Sequence, residues 1–84
     1  MPHFRVEIKV MPRDTLLDPQ GQAVENALRE LEFEGLSRVR IGRALTFELE
    51  STDRTAAEAG AQAMCQKLLA NPVTEDYSCS ATEI

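Results

Sequence analysis

The stretch Val39-Arg40-Ile41-Gly42-Arg43-Ala44-Leu45-Thr46-Phe47-Glu48-Leu49-Glu50 decides how the fold is read. Val39 and Ile41 alternate with Arg38 and Arg40, Gly42-Arg43 interrupts the run, and Leu45, Phe47 and Leu49 then alternate with Thr46, Glu48 and Glu50. Strict alternation sends successive side chains to opposite faces, so each half reads as a half-buried strand and the whole as a β-hairpin turning near Gly42. Upstream, Asp18-Pro19 supplies a helix cap followed by proline at the first helical position, and Val24, Ala27, Leu28 and Leu31 recur at helical spacing. A first helix is predicted from Pro19 to Phe33, with Gly35 placed to stop it. Earlier still, Phe4, Val6, Ile8 and Val10 alternate with Arg5, Glu7 and Lys9, the pattern of a strand buried on one side.

Downstream of the hairpin, Asp53 can cap a second helix reaching Ala70, with Ala57, Ala61, Met64, Cys65 and Leu68 on its core stripe. Asn71-Pro72 ends it, because a residue before proline is driven out of the helical region. A last strand from Glu75 to Ala81 points Tyr77, Cys79 and Ala81 inward. The order β-α-β-β-α-β predicts an α+β, ferredoxin-like (split βαβ) domain over residues 1–84: a four-stranded antiparallel sheet with two helices on one face. In the usual strand order, 4-1-3-2, the arginines of the second strand would face the glutamates of the third across an open polar face.

Bulk properties narrow the function. Eighty-four residues suit one small domain with a thin core, and 43% hydrophobic with 27% charged residues is the balance of a globular chain. A net charge of -5 argues against phosphate backbones and anionic lipid as partners. There is no apolar run of membrane-spanning length, and Met1-Pro2-His3-Phe4-Arg5 lacks a signal peptide's apolar segment, so a cytoplasmic location is expected. Cys65 and Cys79 are read as buried free thiols.

A search for chemistry finds little. His3 is the sole histidine and has no nucleophile beside it. The two cysteines stand 14 positions apart with no Cys-x-x-Cys or His pair, which gives no support to zinc or an iron–sulfur cluster. Gly21, Gly35, Gly42 and Gly60 are too scattered for a phosphate-cradling loop. An RNA-binding sheet would display aromatics outward, whereas Phe4, Phe47 and Tyr77 are all predicted to face the core. No catalytic, cofactor or metal site is expected in this chain.

Three segments are more distinctive than their local roles require: Leu17 to Gly21, Val39 to Arg43, and Leu68 to Tyr77. A helix cap, a hairpin turn and a helix stop would account for each alone. In the predicted topology all three meet at one end of the domain, which points to a docking rim. The small-residue stripe Ala56, Ala59, Gly60 and Ala63 and the polar open face are further candidate contact surfaces, the latter for self-association.

The runs LDPQG, VRIGR and CQKLLANPVTEDY resemble the PurS family, the small subunit of bacterial formylglycinamide ribonucleotide amidotransferase (phosphoribosylformylglycinamidine synthase), in the right order over nearly the whole chain. The resemblance implies a non-catalytic βαββαβ subunit that dimerises and bridges two others during purine biosynthesis: a large synthetase using ATP and Mg2+, and a glutaminase whose ammonia is passed on. It marks Asp18, Gln20, Gly21, Arg40, Gly42, Arg43, Asn71, Glu75 and Asp76 as subunit-interaction residues, with homodimer or homotetramer as the expected state. Arg43 stands where the family often has lysine, and Pro12-Arg13-Asp14-Thr15 lacks a glycine frequent there. Charge reversal at Arg40 and Arg43 is expected to weaken assembly and spare the fold. The rival is a small-molecule-sensing regulatory domain of the same topology; an acylphosphatase-like enzyme would need an anion loop that Asn26 and Asn71 do not provide.

Overall fold

A computed structural model describes all 84 residues. Its elements are β1 (His3–Pro12), α1 (Pro19–Glu30), β2 (Arg43–Glu50), α2 (Arg54–Met64), a single π turn (Cys65–Leu69) and β3 (Glu75–Glu83). The most apolar strand, β1, takes the centre of a three-stranded antiparallel sheet of order β2-β1-β3. Val6 pairs with Phe47 on one side and Ala81 on the other, so the inward residues of all three strands share one face. Val6, Ile8 and Val10 are fully buried, while Arg5, Glu7 and Lys9 lie open to solvent.

The buried face is covered by α2, which packs on β1 and β3. Asp53 starts this helix by accepting a 2.8 Å hydrogen bond from the Ala56 N–H. Ala57, Ala61 and Cys65 have no exposed surface; small side chains at this spacing let the helix lie close to the sheet. The predicted stripe breaks down beyond Cys65. There the Ala70 N–H donates to the Cys65 carbonyl, five residues back, so the turn holds an extra residue and the side-chain phase rotates. Leu68 is thereby thrown outward, 82% exposed, and Ala70 is buried instead; Met64 is also partly exposed.

The predicted fourth strand is absent, and with it the hairpin at Gly42. Residues 36–42 form an irregular crossing in which the Val39 and Ile41 amides are taken by side chains instead of a ladder. Glu25 accepts from the Val39 N–H at 3.0 Å, and Asp18 accepts from the Ile41 N–H at 2.8 Å. Arg38 takes a left-handed conformation (φ 58°), which breaks the extended run. The opposed charges predicted across strands two and three therefore do not form.

The first helix also ends earlier than predicted. Glu32 adopts φ 70°, the Phe33 N–H bonds the Leu28 carbonyl and the Glu32 N–H bonds that of Arg29, a Schellman closure completed before Gly35. The largest departure is where α1 sits. It is not laid on the sheet: its buried residues are Gly21 and Glu25, which face the 36–42 crossing. The chain measures 51 × 27 × 15 Å with a radius of gyration of 16.3 Å, against about 12 Å for a compact chain of this length. Only 11 residues are buried, so much apolar surface, including Leu17, Leu31, Phe33, Leu68 and Val73, lies open.

Candidate functional site

At one end of the sheet the three distinctive segments do converge. Asp18 has two tasks: one carboxylate oxygen accepts the Gly21 N–H as a helix cap at 3.1 Å, and the other holds the Ile41 N–H. These two bonds, that from Ile41 first, hold its pKa below the ordinary aspartate range. A side chain at Gly21 would strike the Val39 carbonyl, and one at Gly42 would strike the Val10 carbonyl and the Met11 sulfur. Both positions require glycine because backbone crosses backbone there.

Arg40 reaches away from the crossing and donates to the carbonyls of Pro12, Arg13 and Leu16, pinning the loop that leaves β1. Its Nε is buried without a partner. Arg43 forms a bidentate pair with Glu75, at 2.7 and 3.0 Å, and also donates to the Leu69 carbonyl at the end of the π turn. Glu75 takes a further 2.7 Å bond from the Asn71 N–H. The Arg43 guanidinium, followed by that amide, holds Glu75 below its usual range, and Arg43 is pushed up in return. Asn71 closes its own turn by accepting from the Val73 N–H at 3.0 Å.

The nine residues marked in the sequence thus gather at one place, but most are spent on internal bonds. Arg40 and Arg43 hold backbone together, which corrects the expectation that reversing their charge would spare the fold. Gln20, Gly42, Arg43, Asn71 and Asp76 are exposed, and they share the rim with the exposed apolar side chains of Leu17 and Val73. A shallow cleft of about 380 Å³ between Asp18, Gln20, Arg43 and Glu75 opens on this rim.

Two contributors were not singled out in the sequence. Glu25, 8% exposed, joins the crossing to α1 and is itself held by Arg29 at 2.7 Å; their four-residue spacing was the available signal. Arg13 bonds the Pro72 carbonyl at 2.7 Å and faces Asp76 at 3.7 Å, and nothing in the local pattern marks it.

Elsewhere, Cys65 and Cys79 are free thiols with sulfurs 3.7 Å apart, Cys65 buried and Cys79 half-buried. Burial first, and the neighbouring thiol second, push Cys79 up to about 11. No group of three or more His, Cys, Asp or Glu side chains is placed to hold a metal ion, and no helix is long and apolar enough to cross a membrane. Ala56, Ala59 and Ala63 are exposed, and a side chain at Gly60 would make only ordinary contact with Leu49.

Comparison with known proteins agrees with this arrangement along the whole chain. Residues 5–83 match the family model PurS, described as phosphoribosylformylglycinamidine (FGAM) synthase. The chain is 38% identical over 82 residues to the phosphoribosylformylglycinamidine synthase subunit PurS of Synechocystis, covering 98% of this chain and 80% of that protein. Among solved structures, Bacillus subtilis PurS superposes with a TM-score of 0.84 at 38% identity, covering 95% of this chain and 99% of that one. A chain of PurLQS from Thermotoga maritima superposes at 0.87 with 32% identity and full coverage of both. A full-length sequence match and the same three-stranded, two-helix architecture together place the chain in the PurS family of phosphoribosylformylglycinamidine synthase subunits.

Proposed function

We propose that this chain is the non-catalytic assembly subunit of a phosphoribosylformylglycinamidine synthase, bridging the synthetase and glutaminase subunits so that ammonia passes between them. The observation that carries the reading is the apolar surface left open on an elongated chain with 11 buried residues. Patches of this kind mark sites of protein association. The chain acts as one domain, a ferredoxin-like unit short of its second strand, working in the cytoplasm as a homodimer or a dimer of dimers. ATP and Mg2+ belong to the large subunit. The rim of Leu17, Gln20, Val73 and Asp76 is the face offered to the other subunits, with the Asp18, Arg40 and Arg43 bonds holding it in shape.

Reconstitution tests this directly. Glutamine-dependent turnover of the mixed synthetase and glutaminase should require this chain. A Leu17→Asp, Val73→Asp variant should keep its circular dichroism spectrum and lose co-elution with the larger subunits at least tenfold. Turnover and co-elution indifferent to the chain would overturn the reading; a double variant that co-elutes normally would move the contact face away from the rim.

A further inference from the structure

The side chains of Cys65 and Cys79 take no part in the bonds that shape the rim, and their chemistry is unused. Their sulfurs stand 3.7 Å apart as free thiols. A disulfide needs about 2.05 Å between sulfurs, so the pair is short of one by roughly 1.7 Å. The two ends differ in how they can supply that approach. Cys79 is fixed in the β3 ladder opposite Ile8. Cys65 begins the π turn, where the helix has already left α geometry and the Cys65 carbonyl accepts from the Ala70 N–H. A turn holding an extra residue can give by this amount while the β1–β3 ladder stays whole.

Exposure separates their roles as well. Cys65 has no exposed surface and Cys79 is half-buried, so an oxidant meets Cys79 first and Cys65 stands beside it to respond. We propose that Cys65 and Cys79 form a dithiol oxidation site that takes a peroxide, Cys79 reacting with it and Cys65 closing an intrachain disulfide. The Cys79 sulfur, as thiolate, attacks one peroxide oxygen and the O–O bond breaks. The departing hydroxide takes the proton that the thiol gave up, leaving a sulfenic acid and one water. The Cys65 sulfur then attacks the Cys79 sulfur, the S–O bond breaks, and the hydroxide leaves as a second water with the Cys65 proton. Two thiols are oxidised and one peroxide is reduced to two waters. Burial and the adjacent thiol push Cys79 up to about 11, with the Glu58 carboxylate adding to them. Thiolate is therefore scarce at neutral pH, and the site reacts slowly. The closed ring, residues 65–79, ties the end of α2 to β3 and carries Val73 and Asp76 of the rim. Oxidation thus fixes the rim segment, whichever subunits the rim meets.

The unaltered chain is reduced, treated with hydrogen peroxide, blocked with N-ethylmaleimide in denaturant, and mapped by peptide mass. A Cys65-to-Cys79 link within one chain, reversed by dithiothreitol, is the expected result. Both cysteines still alkylated, or links formed only between copies, would overturn the proposal. Dimedone, which captures sulfenic acids, reads the order of attack. Cys65→Ser should accumulate the adduct at Cys79, and Cys79→Ser should leave Cys65 unlabelled; an adduct at Cys65 formed as fast as that at Cys79 would overturn the assigned roles. The peptide map needs no substitution, so a variant that fails to fold leaves the first arm intact. Ring closure restricts the unfolded chain, so the oxidised protein should unfold in urea with an equilibrium constant lower by roughly tenfold or more. Backbone amides of residues 66–78 should also exchange with solvent more slowly. An oxidised chain less stable than the reduced one would mark the bond as damage and overturn its role in holding the rim.

Discussion

The two helices of this protein are built to similar local rules and meet different fates. Each begins at an aspartate that accepts a backbone N–H of its first turn, and each carries an apolar stripe. Yet α2 buries Ala57 and Ala61 completely, whereas α1 buries a glycine and a glutamate and leaves its stripe in the open. What separates them is the connection that follows. The π turn and the Asn71 turn lead directly from α2 into β3, whose ladder with β1 holds the helix over the sheet. After α1 the chain enters the 36–42 crossing, whose amides are captured by Asp18 and Glu25, and the helix is held off the sheet. Helix formation is local, while helix placement belongs to the connectors.

The largest effect expected from this difference comes from placing the same charge on each helix. Ala61→Asp sets a carboxylate among Val6, Cys65 and their neighbours with no partner, at a cost of about 3–5 kcal/mol. That is comparable with the whole stability of a small domain, and the far-UV spectrum should collapse. Val24→Asp on α1, measured at a dilution where the chain is monomeric, should change the urea midpoint by about 0.5 kcal/mol or less. Equal losses for the two would mean that α1 packs on its own sheet.

The same contrast explains what could be read from the sequence. The phases of β1, β2 and β3 were legible because alternation over six or more residues has one solution when a single face is buried. The caps at Asp18 and Asp53 were legible because they depend on neighbours three residues away. The strand at Val39–Ile41 was misread: three alternating residues satisfy a strand pattern, but a ladder also needs free amides, and two distant carboxylates had already claimed them. The outward turn of Leu68 was hidden for a related reason, since a single inserted residue in a helix leaves the apolar spacing plausible on either face. That the three segments meet at one end followed from topology, but the internal bonds there, such as those of Arg40 to three carbonyls, leave no local trace in the sequence.

A smaller effect should separate the two caps. Asp53→Ala removes one exposed hydrogen bond and should cost about 1 kcal/mol. Asp18→Ala should cost more, because the Ile41 N–H loses its acceptor along with the helix end. The pH dependence follows from the lowered values of Asp18 and Glu75. A carboxylate that binds protons less readily when folded stabilises the fold above its unfolded pKa and loses that contribution as pH falls through its folded value. Urea midpoints should therefore decline as pH drops through and below the ordinary carboxylate range. In Asp18→Asn, Glu75→Gln the decline should be shallower, and an unaltered slope would place the acid sensitivity elsewhere.

The smallest expected change is a gain, and it falls where α1 turns toward the crossing. Glu32 occupies the left-handed position of the Schellman closure at φ 70°, where a side chain is strained and glycine is not. Glu32→Gly relieves that strain but enlarges the conformational freedom of the unfolded chain, and the two partly offset. A net stabilisation of about 0.5 kcal/mol by urea denaturation is expected at concentrations where the chain is monomeric. A loss of stability would show that the glutamate side chain has a partner within the monomer.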